Sequence, residues 1–274
     1  MAHRHFEGAG HVIAYAKYRP QWTKNIVDRV ITYLQEKLPA PYDQALDVGC
    51  GSGQFTHLLA PHFNHVTGID VSDNQILQAN NKNDMSNVRF KKGSGESFPV
   101  DDHSVDLVTS AQAAHWFDLD KFYAETERVL RPHGCVALLG YAVPVLDSNP
   151  HGEILSKYIR DFYGRLWKTS CWDEMRKHVD NRYPDERFAC RLPLREYVRD
   201  ETLSMEYDTT LEHFIGYVSS WSGYNKYMEK YPESKILEDL QENLLKTMDR
   251  EATIHSELHV TFPIFMLLGR KPGS

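Results

Sequence analysis

Residues 45–53 read Ala-Leu-Asp-Val-Gly-Cys-Gly-Ser-Gly, a short apolar strand that runs into three alternating glycines. A second short apolar run, residues 66–69, ends at Asp70. A glycine turn lets a ligand lie against bare backbone, and an acid at the tip of the next strand is placed to accept hydrogen bonds from a ribose diol. The pair therefore predicts a cofactor that contains a nucleoside.

The spacing of the glycines narrows the class of cofactor. A dinucleotide fingerprint reads G-x-G-x-x-G, and a phosphate loop reads G-x-x-x-x-G-K-[ST]. Here glycine occupies positions 49, 51 and 53, Gln54 follows, and no Gly-Lys-Ser/Thr is present. The turn thus lacks the glycine that packs a helix against a pyrophosphate and the lysine that binds phosphate. The alternative is an ordinary glycine turn, with Asp70 as a helix N-cap.

Composition and charge limit the partners of the chain. Its 274 residues, 41% hydrophobic and 25% charged, can form either one large domain or a domain with a cap. A net charge of −7 and a pI near 6.0 argue against nucleic acid as a partner. No apolar run approaches the roughly 18 residues that a membrane span needs. The pattern specifies no oligomeric state.

The termini, cysteines and histidines carry three further expectations. The N-terminus has no apolar signal stretch, which predicts a cytoplasmic protein. The four cysteines form no C-x-x-C pair, as expected for free thiols in a reducing compartment: Cys50, Cys135, Cys171 and Cys190. The chain has 14 histidines but no H-E-x-x-H, so we expect no metal site.

Short apolar runs alternate with helical patterns in the first half of the chain. Strands are predicted at 46–48, 66–69, 88–91, 105–109 and 136–141, and helices at 22–37, 54–59, 74–81 and 119–130. Ser72 is placed to cap the third of these helices. Such an alternation requires crossover connections and hence a parallel sheet that is covered on both faces. Its ligands bind beyond the carboxyl ends of the strands, where Gly49, Asp70, Ser94 and residues 110–116 fall.

After Pro144 the pattern becomes mainly helical. Helices are predicted at 151–179, 210–229 and 235–249, and the apolar run 259–270 predicts a final strand. The expected organisation is an N-terminal lid and helix (1–40), a cofactor-binding core (41–145), a helical cap that forms the substrate region (146–255) and a closing strand of the core sheet (256–274).

Three segments together resemble the class I S-adenosylmethionine-dependent methyltransferases. Leu46-Asp47-Val48-Gly49-Cys50-Gly51-Ser52-Gly53 is similar to motif one, and Gly93-Ser94-Gly95-Glu96-Ser97-Phe98-Pro99 to the adenine segment G-D-A-E-x-L-P-F. Val129-Leu130-Arg131-Pro132-His133-Gly134 resembles the V-L-R-P-G-G turn before the fifth strand. The resemblance implies S-adenosylmethionine as the cofactor. Ser94 departs from the family's frequent Asp, and His133 replaces a glycine.

A narrower likeness extends over most of the chain. Residues 15–20, 110–117 and 220–224 resemble the small-molecule group that includes trans-aconitate and cantharidin methyltransferases, whose fungal members methylate carboxylates. This likeness implies a doubly wound, seven-stranded, mostly parallel α/β sheet of the Rossmann-like methyltransferase type. Its last strand is antiparallel, and a helical cap accompanies the sheet.

The expected cofactor contacts follow the carboxyl edge of that sheet. Gly49 and Gly51 would let the methionine half lie over backbone, Gly53 would allow close helix packing, and Asp70 would bind the ribose hydroxyls. Asp47 would either act through water on the amino group of the cofactor or only brace the turn.

The remaining cofactor contacts are expected from three other segments. Ser94 and Gly95 would border adenine, and Gln112, after the fourth strand, would face the methionine portion or serve as a structural amide. The likeness makes Tyr15, Tyr18 and Arg19 part of a lid: the tyrosine face would attract the sulfonium, and Arg19 the carboxylate of the cofactor. The alternative for this segment is a tyrosine pair that packs a terminal helix.

The acceptor is expected beside His115. This side chain would be a general base if the acceptor is protonated at neutral pH, or else a buried histidine that fixes its loop. Trp116, Trp221 and Tyr224 are expected to wall an apolar acceptor pocket, with ordinary core packing as the alternative.

The predicted reaction is an in-line displacement that moves methyl onto a small-molecule acceptor, with a carboxylate as one candidate. Residues 110–113 lack the Asn/Asp-Pro-Pro-Tyr used to methylate amide and adenine nitrogens, which argues against those substrates. Two alternatives stand beside it. One is a nicotinamide-dependent oxidoreductase, against which Gln54 argues, and the other is a non-catalytic scaffold that binds the cofactor.

Overall fold

The computed structural model describes residues 18–147, 150–189 and 196–273. Tyr15 and Cys190 lie outside these ranges. The strands are β1 Tyr42–Val48, β2 Phe63–Asp70, β3 Val88–Lys92, β4 Val105–Ala111, β5 Leu130–Tyr141, β6 Val145–Leu146, β7 Val198–Asp200, β8 Ser204–Thr210 and β9 Glu257–Arg270. The helices are α1 Lys24–Gln35, α2 Gln54–Leu59, α3 Asp73–Lys82, α4 Leu119–Val129, α5 Gly152–Lys168, α6 Arg176–Asp180, α7 Leu211–Ser219, α8 Ser222–Lys230 and α9 Ile236–Met248.

One sheet organises the structure, with the strand order β3-β2-β1-β4-β5-β9-β6. Strands β1 to β5 pair in parallel, and β9 runs antiparallel to β5. The chain winds outward from β1 to β3 and then returns to β4 on the other side of β1. The predicted mostly parallel sheet with an antiparallel last strand is therefore confirmed. Ligands of such sheets bind where the winding reverses, at the carboxyl ends of β1 and β4.

The two faces of the sheet bury separate apolar clusters. Ala45 of β1 belongs to the cluster that includes α1, α2 and the cap, whereas Leu46 and Val48 belong to the cluster that includes α4. Because neighbouring side chains of a strand point to opposite faces, β1 is covered on both sides. This explains why its sequence reads as an apolar run without alternation.

The region after β6 differs from its prediction in three places. The helix predicted at 151–179 is two helices, because Ser170 adopts a left-handed φ of 57° and Cys171 N–H bonds back to Leu166 at 2.9 Å. The helix predicted at 210–229 begins at Leu211, after its N-cap Thr210, and breaks at Trp221, which is extended. The pattern also missed β7 and β8, both of which pair with β9.

Two of these differences have separate causes. Apolar residues continue at helical spacing across Trp221, so periodicity alone does not reveal the break. Strand β8 buries only Met205 fully, and its pairing partner lies far along the chain.

Within the described ranges, no helix is long and apolar enough to cross a membrane.

Candidate functional site

A cavity of about 800 Å³ opens at the carboxyl ends of β1, β2 and β4 and extends to the cap. Most of the residues predicted from sequence line it: Arg19, Asp47, Gly49, Gly51, Asp70, Ser94, Gly95, Gln112, His115, Trp116 and Trp221. Among the described candidates, Tyr18, Gly53 and Tyr224 lie outside the lining. The tertiary structure thus brings residues from separate stretches of the chain to one site.

Two backbone hydrogen bonds join the glycine turn to the end of β2. The backbone N–H groups of Gly49 and Cys50 both donate to Ile69 O, at 2.8 and 3.0 Å. Gly51 has a left-handed φ of 54°, and a side chain there would have open space, with its nearest neighbour, Gln75 Oε1, 3.9 Å away. A side chain on Gly53 would instead lie 2.5 Å from the ring of Phe90. Gly51 therefore leaves room inside the cavity, and Gly53 allows close packing at the start of α2.

Asp70 joins the turn to the start of α3. Its carboxylate accepts the backbone N–H of Gly51 at 3.0 Å and that of Ser72 at 2.9 Å. Burial raises the pKa of Asp70, and these backbone donors oppose that effect. The N-cap of α3 is Ser72, as predicted, whose side chain accepts Gln75 N–H. Each carboxylate oxygen has a second lone pair, so Asp70 retains acceptor capacity toward the cavity.

Asp47 is buried at the end of β1. One oxygen accepts the hydroxyl of Thr56 at 2.6 Å and the other that of Thr109 at 2.8 Å. The carboxylate thereby connects β1 to α2 and to β4, beneath the glycine turn. Burial raises the pKa of Asp47 to about 6, while the two hydroxyls act in the opposite direction.

The raised pKa of Asp47 predicts a pH-dependent stability. A carboxyl whose pKa is higher folded than unfolded costs stability as pH rises through the interval between the two values, here from about 4 to 6. At neutral pH the cost is about 3 kcal/mol. We measure the free energy of unfolding in urea for wild type and Asp47→Asn between about pH 4 and pH 7. As pH rises, the variant should become more stable relative to wild type. The same pH dependence of the unfolding free energy in both proteins would contradict the expectation.

The loop after β3 forms a second side of the cavity. Ser94 Oγ accepts the backbone N–H of Glu96 at 3.3 Å, and Glu96 Oε1 accepts that of Asp118 at 3.2 Å. The ring of Phe117 lies so close to Gly95 that a side chain there would be 2.6 Å from it. Ser94 and Glu96 thus brace the loop, and Gly95 allows Phe117, another residue of the lining, to cover it.

Gln112 crosses from the end of β4 to the end of β5. Its Oε1 accepts Tyr141 N–H at 2.9 Å, and its Nε2 donates to Tyr141 O at 3.4 Å. The residue has a φ of 60°, an uncommon value for a residue with a side chain. The amide therefore holds the strand ends together while the residue also lines the cavity.

His115 is held from behind by a tyrosine that the sequence motifs did not indicate. Its Nδ1 lies 3.0 Å from Tyr183 Oη. Burial raises the pKa of Tyr183, so its hydroxyl remains protonated while it hydrogen-bonds to Nδ1. Burial, with the charges of Arg176 and His178 adding to it, lowers the pKa of His115 well below its ordinary value. The imidazole is therefore neutral at pH 7.

Aromatic rings wall the end of the cavity that faces the cap. Trp221 contacts the rings of Tyr163, Trp172 and Tyr217 at centroid distances of 5.5, 5.8 and 5.6 Å. Trp172, Tyr217, Trp221 and Trp116 line the cavity. Tyr224, which does not line it, packs 6.1 Å from Phe162 behind this wall.

Tyr18 and Arg19 begin the described part of the chain. Arg19 Nη1 donates to Tyr141 Oη at 3.0 Å, and its guanidinium lies 5.7 Å from the Tyr217 ring centroid. The ring of Tyr18 packs 5.1 Å from that of His213. Arg19 therefore reaches the cavity, and Tyr18 packs the segment against α7.

A second arginine of the lining, Arg176, carries no sequence signal that would have singled it out. It begins α6, within a stretch of ordinary mixed polarity, and lies beside Trp172 and Asp173 in the wall. The carboxylate of Asp173 accepts the backbone N–H of Met175 at 2.9 Å. In the part of the chain that the structure describes, no cluster of three or more His, Cys, Asp or Glu is placed to hold a metal ion.

Comparisons with known proteins agree with this geometry. The methyltransferase domain family matches residues 46–138. A Dictyostelium discoideum protein assigned as a methyltransferase is 32% identical over 259 residues, which cover 94% of this chain and 92% of that protein. A Saccharomyces cerevisiae protein assigned as an S-adenosylmethionine-dependent methyltransferase is 23% identical over 94% of both chains.

A solved structure extends the agreement to the whole fold. A protein assigned as a type II methyltransferase from Anaeromyxobacter dehalogenans superposes with a TM-score of 0.74 at 30% identity, over 93% of this chain and 99% of that one. The match covers the cap as well as the sheet. Neither the oxidoreductase nor the scaffold alternative is favoured by these relatives. The chain therefore belongs to the class I S-adenosylmethionine-dependent methyltransferases, and S-adenosylmethionine is its cofactor.

Proposed function

We propose that this enzyme methylates a carboxylate of a small-molecule acceptor, as the likeness to the trans-aconitate and cantharidin methyltransferase group suggests. The supporting observation is the chemistry of the cavity end beside His115. That end presents Arg176 and a neutral histidine, His115. An imidazole whose pKa is held well below its ordinary value is a weak base, so this site suits an acceptor that is already ionised, and a carboxylate is ionised at pH 7.

The cavity fits the cofactor at its opposite end. The open space above Gly51 admits a ligand against backbone, and Asp70 is placed to accept the ribose hydroxyls. Ser94 and Gly95 would border the adenine. The hydrogen bond from Glu96 N–H to Ser94 Oγ supports this role, because it stabilises the conformation of the loop. The bound cofactor supplies a methyl group on a positively charged sulfur.

The methionine end of the cofactor has its own set of candidates. Gly49, Asp47 and Gln112 line the cavity beyond the glycine turn, and Arg19 is the cation nearest Tyr141. We assign Arg19 to the carboxylate of the cofactor and Asp47 to its amino group through water. Tyr18 supports Arg19 by packing its segment against α7.

His115 and the aromatic wall act on the acceptor. We assign the hydroxyl of Tyr183 as the donor to Nδ1 of His115, so that Nε2–H of His115 donates to an acceptor oxygen and orients it. Trp116 and Trp221 exclude water from the acceptor side, and Tyr224 supports this wall through Phe162.

The reaction is tested with S-adenosylmethionine that carries a labelled methyl group and a set of small carboxylic acids. The expected product is an ester, so the label should be released as methanol by mild alkali. Transfer to an amine or a nucleic-acid base would give an alkali-stable product and would contradict the proposed acceptor. The family assignment would be unaffected by that outcome.

Gly51→Ala tests where the cofactor lies. A methyl group at this position has open space in the protein, and the left-handed backbone costs about 1–2 kcal/mol. The protein should therefore fold, but the added carbon occupies the space of the ligand. We expect calorimetry to show binding of S-adenosylhomocysteine weakened at least about 10-fold, or roughly 1.4 kcal/mol.

A matched glycine serves as the control for that variant. A side chain on Gly164 of α5 would meet no atom within 4 Å, and alanine is favourable in a helix. Gly164→Ala should bind S-adenosylhomocysteine as wild type does. Equal affinities for all three proteins would contradict the position assigned to the cofactor.

A further inference from the structure

Arg176 is a largely buried cation whose position is set by the cap. Its side chain is 17% exposed. Nε donates to Tyr163 Oη at 3.0 Å and lies 3.4 Å from Asp180 Oδ1. The guanidinium carbon lies 5.4 Å from the Trp172 ring centroid and 5.8 Å from that of Tyr163. The inner edge of the guanidinium is therefore held by a hydrogen bond, an ion pair and two aromatic faces.

The outer edge of the same guanidinium is available. Neither Nη1 nor Nη2 has a hydrogen-bond partner within the described ranges, and neither is sealed off from the cavity that Arg176 lines. The fork of N–H donors on an arginine matches the two oxygens of a carboxylate. A cation held this deeply in protein is costly unless it is paired.

Asp180 pairs with Arg176 only in part. Its Oδ1 also accepts the hydroxyl of Tyr163 at 2.5 Å, and its Oδ2 accepts Trp167 Nε1 at 3.0 Å. The carboxylate is thus shared among three donors and contacts Arg176 only at the longest of these distances. Positive charge consequently remains on the side of Arg176 that faces the cavity.

Arg176 also lies at the acceptor end of the cavity. Its charge acts on the neutral ring of His115, and it borders the wall made by Trp172 and Trp221. The other arginine of the lining, Arg19, reaches Tyr141 at the end of β5. Two carboxylates, one from the cofactor and one from the acceptor, would therefore have separate arginines.

We propose that Arg176 binds a carboxylate of the acceptor that does not receive the methyl group, so that the enzyme selects dicarboxylic acids. This assignment, which rests on the proposed function, adds a specificity-determining residue to the site. In the reaction, a bond forms between one carboxylate oxygen and the methyl carbon while the bond from that carbon to sulfur breaks; the carboxylate and the sulfonium both become neutral, and no proton leaves the acceptor. The carboxylate at Arg176 keeps its charge, and the product is a monoester.

Binding to the enzyme saturated with S-adenosylhomocysteine tests this assignment. The probes are dicarboxylates of four to eight carbons, saturated and unsaturated, and the dimethyl ester of each. We expect calorimetry to show that wild type binds at least one of these acids. Arg176→Met should weaken that binding at least about 30-fold, consistent with the loss of a charged bidentate pair. The dimethyl esters should not distinguish the two proteins.

Three further variants separate charge, geometry and folding. Arg176→Lys keeps the charge without the fork and should bind the acid less tightly than wild type and more tightly than Arg176→Met. Arg176→Gln keeps a donor for Tyr163 and should lose acid binding to the same extent as Arg176→Met. It replaces Arg176→Met in the test if that variant does not fold. Arg160→Met removes an exposed arginine from the same cap and should leave acid binding unchanged.

The outcomes distinguish this assignment from the proposed function. If no dicarboxylate binds wild type, or if Arg176→Met and Arg176→Gln bind the acid as Arg160→Met does, the role of Arg176 is refuted. In that case S-adenosylhomocysteine binding, and the transfer of label to a monocarboxylic acid, still support a carboxylate methyltransferase. If no acid of any kind accepts the label, the proposed function itself fails.

Discussion

Asp70→Ala is expected to weaken the binding of S-adenosylhomocysteine at least about 100-fold, because a hydrogen bond to a charged group contributes about 1.5–3 kcal/mol and the ribose diol offers two donors. The variant also removes the acceptor that fixes Gly51 N–H and Ser72 N–H. Calorimetry measures the loss directly. Asp70→Asn retains one acceptor oxygen and should lose affinity to a smaller extent.

A neighbouring acid provides the control for Asp70. Asp73, at the start of α3, is exposed, does not line the cavity, and pairs with Lys92 at 2.7 Å. Asp73→Asn should therefore bind S-adenosylhomocysteine within about 2-fold of wild type, since exposed pairs contribute little. Near-equal affinities for Asp70→Ala and Asp73→Asn would show that Asp70 has no contact with the ribose. Thermal unfolding of each variant establishes that it is folded.

Arg270→Met is expected to destabilise the protein by at least about 2 kcal/mol, because hydrogen bonds from a charged group contribute about 1.5–3 kcal/mol each and this guanidinium donates to buried main-chain oxygens. Arg270, near the end of β9, is 2% exposed. It donates to the backbone oxygens of Tyr33 and Leu34 in the last turn of α1 and pairs with Glu36 at 3.2 Å and Glu196 at 3.0 Å. Its loss removes the side-chain donor to Tyr33 O at the end of α1, whereas Leu34 O keeps the backbone N–H of Leu38 at 3.1 Å.

Chemical denaturation measures this effect as a lower midpoint with an unchanged slope. Arg270→Lys keeps the charge with fewer donors, and its denaturation midpoint should lie between those of the methionine variant and wild type. Lys24→Met, which removes an exposed pair with Asp28 on α1, should change stability by less than about 0.5 kcal/mol. A loss for Arg270→Met no larger than that of Lys24→Met would contradict a structural role for this arginine.

The cofactor end of the cavity could be predicted because it is encoded locally. The glycine turn, Asp70 and Ser72 lie within one strand–helix–strand unit, and each follows from a short-range rule about backbone or capping. The parallel sheet then forces the carboxyl ends of its strands to one edge. Gly49, Asp70, Ser94 and Gln112 meet at that edge for this reason.

The acceptor end could not be predicted in the same way. Tyr183 meets His115 across 68 positions of sequence, and Arg176 owes its place to Tyr163 and Asp180 rather than to a motif. The predicted Trp221 does line the cavity, but Tyr224, three residues further on, faces away from it. The sequence likeness indicated both residues, but it carries no information about which side chains of this cap segment border the cavity.

The sequence by itself determined the parallel order of the core, the position of its ligand edge and the nucleoside character of the cofactor. These depend on interactions between residues close along the chain, whose geometry is limited by backbone sterics and hydrogen bonding. Only the tertiary structure decided that β8 joins β9, that Gln112 bridges two strands and that Arg176 lines the cavity. Each of these depends on packing between distant segments, which local periodicity does not encode.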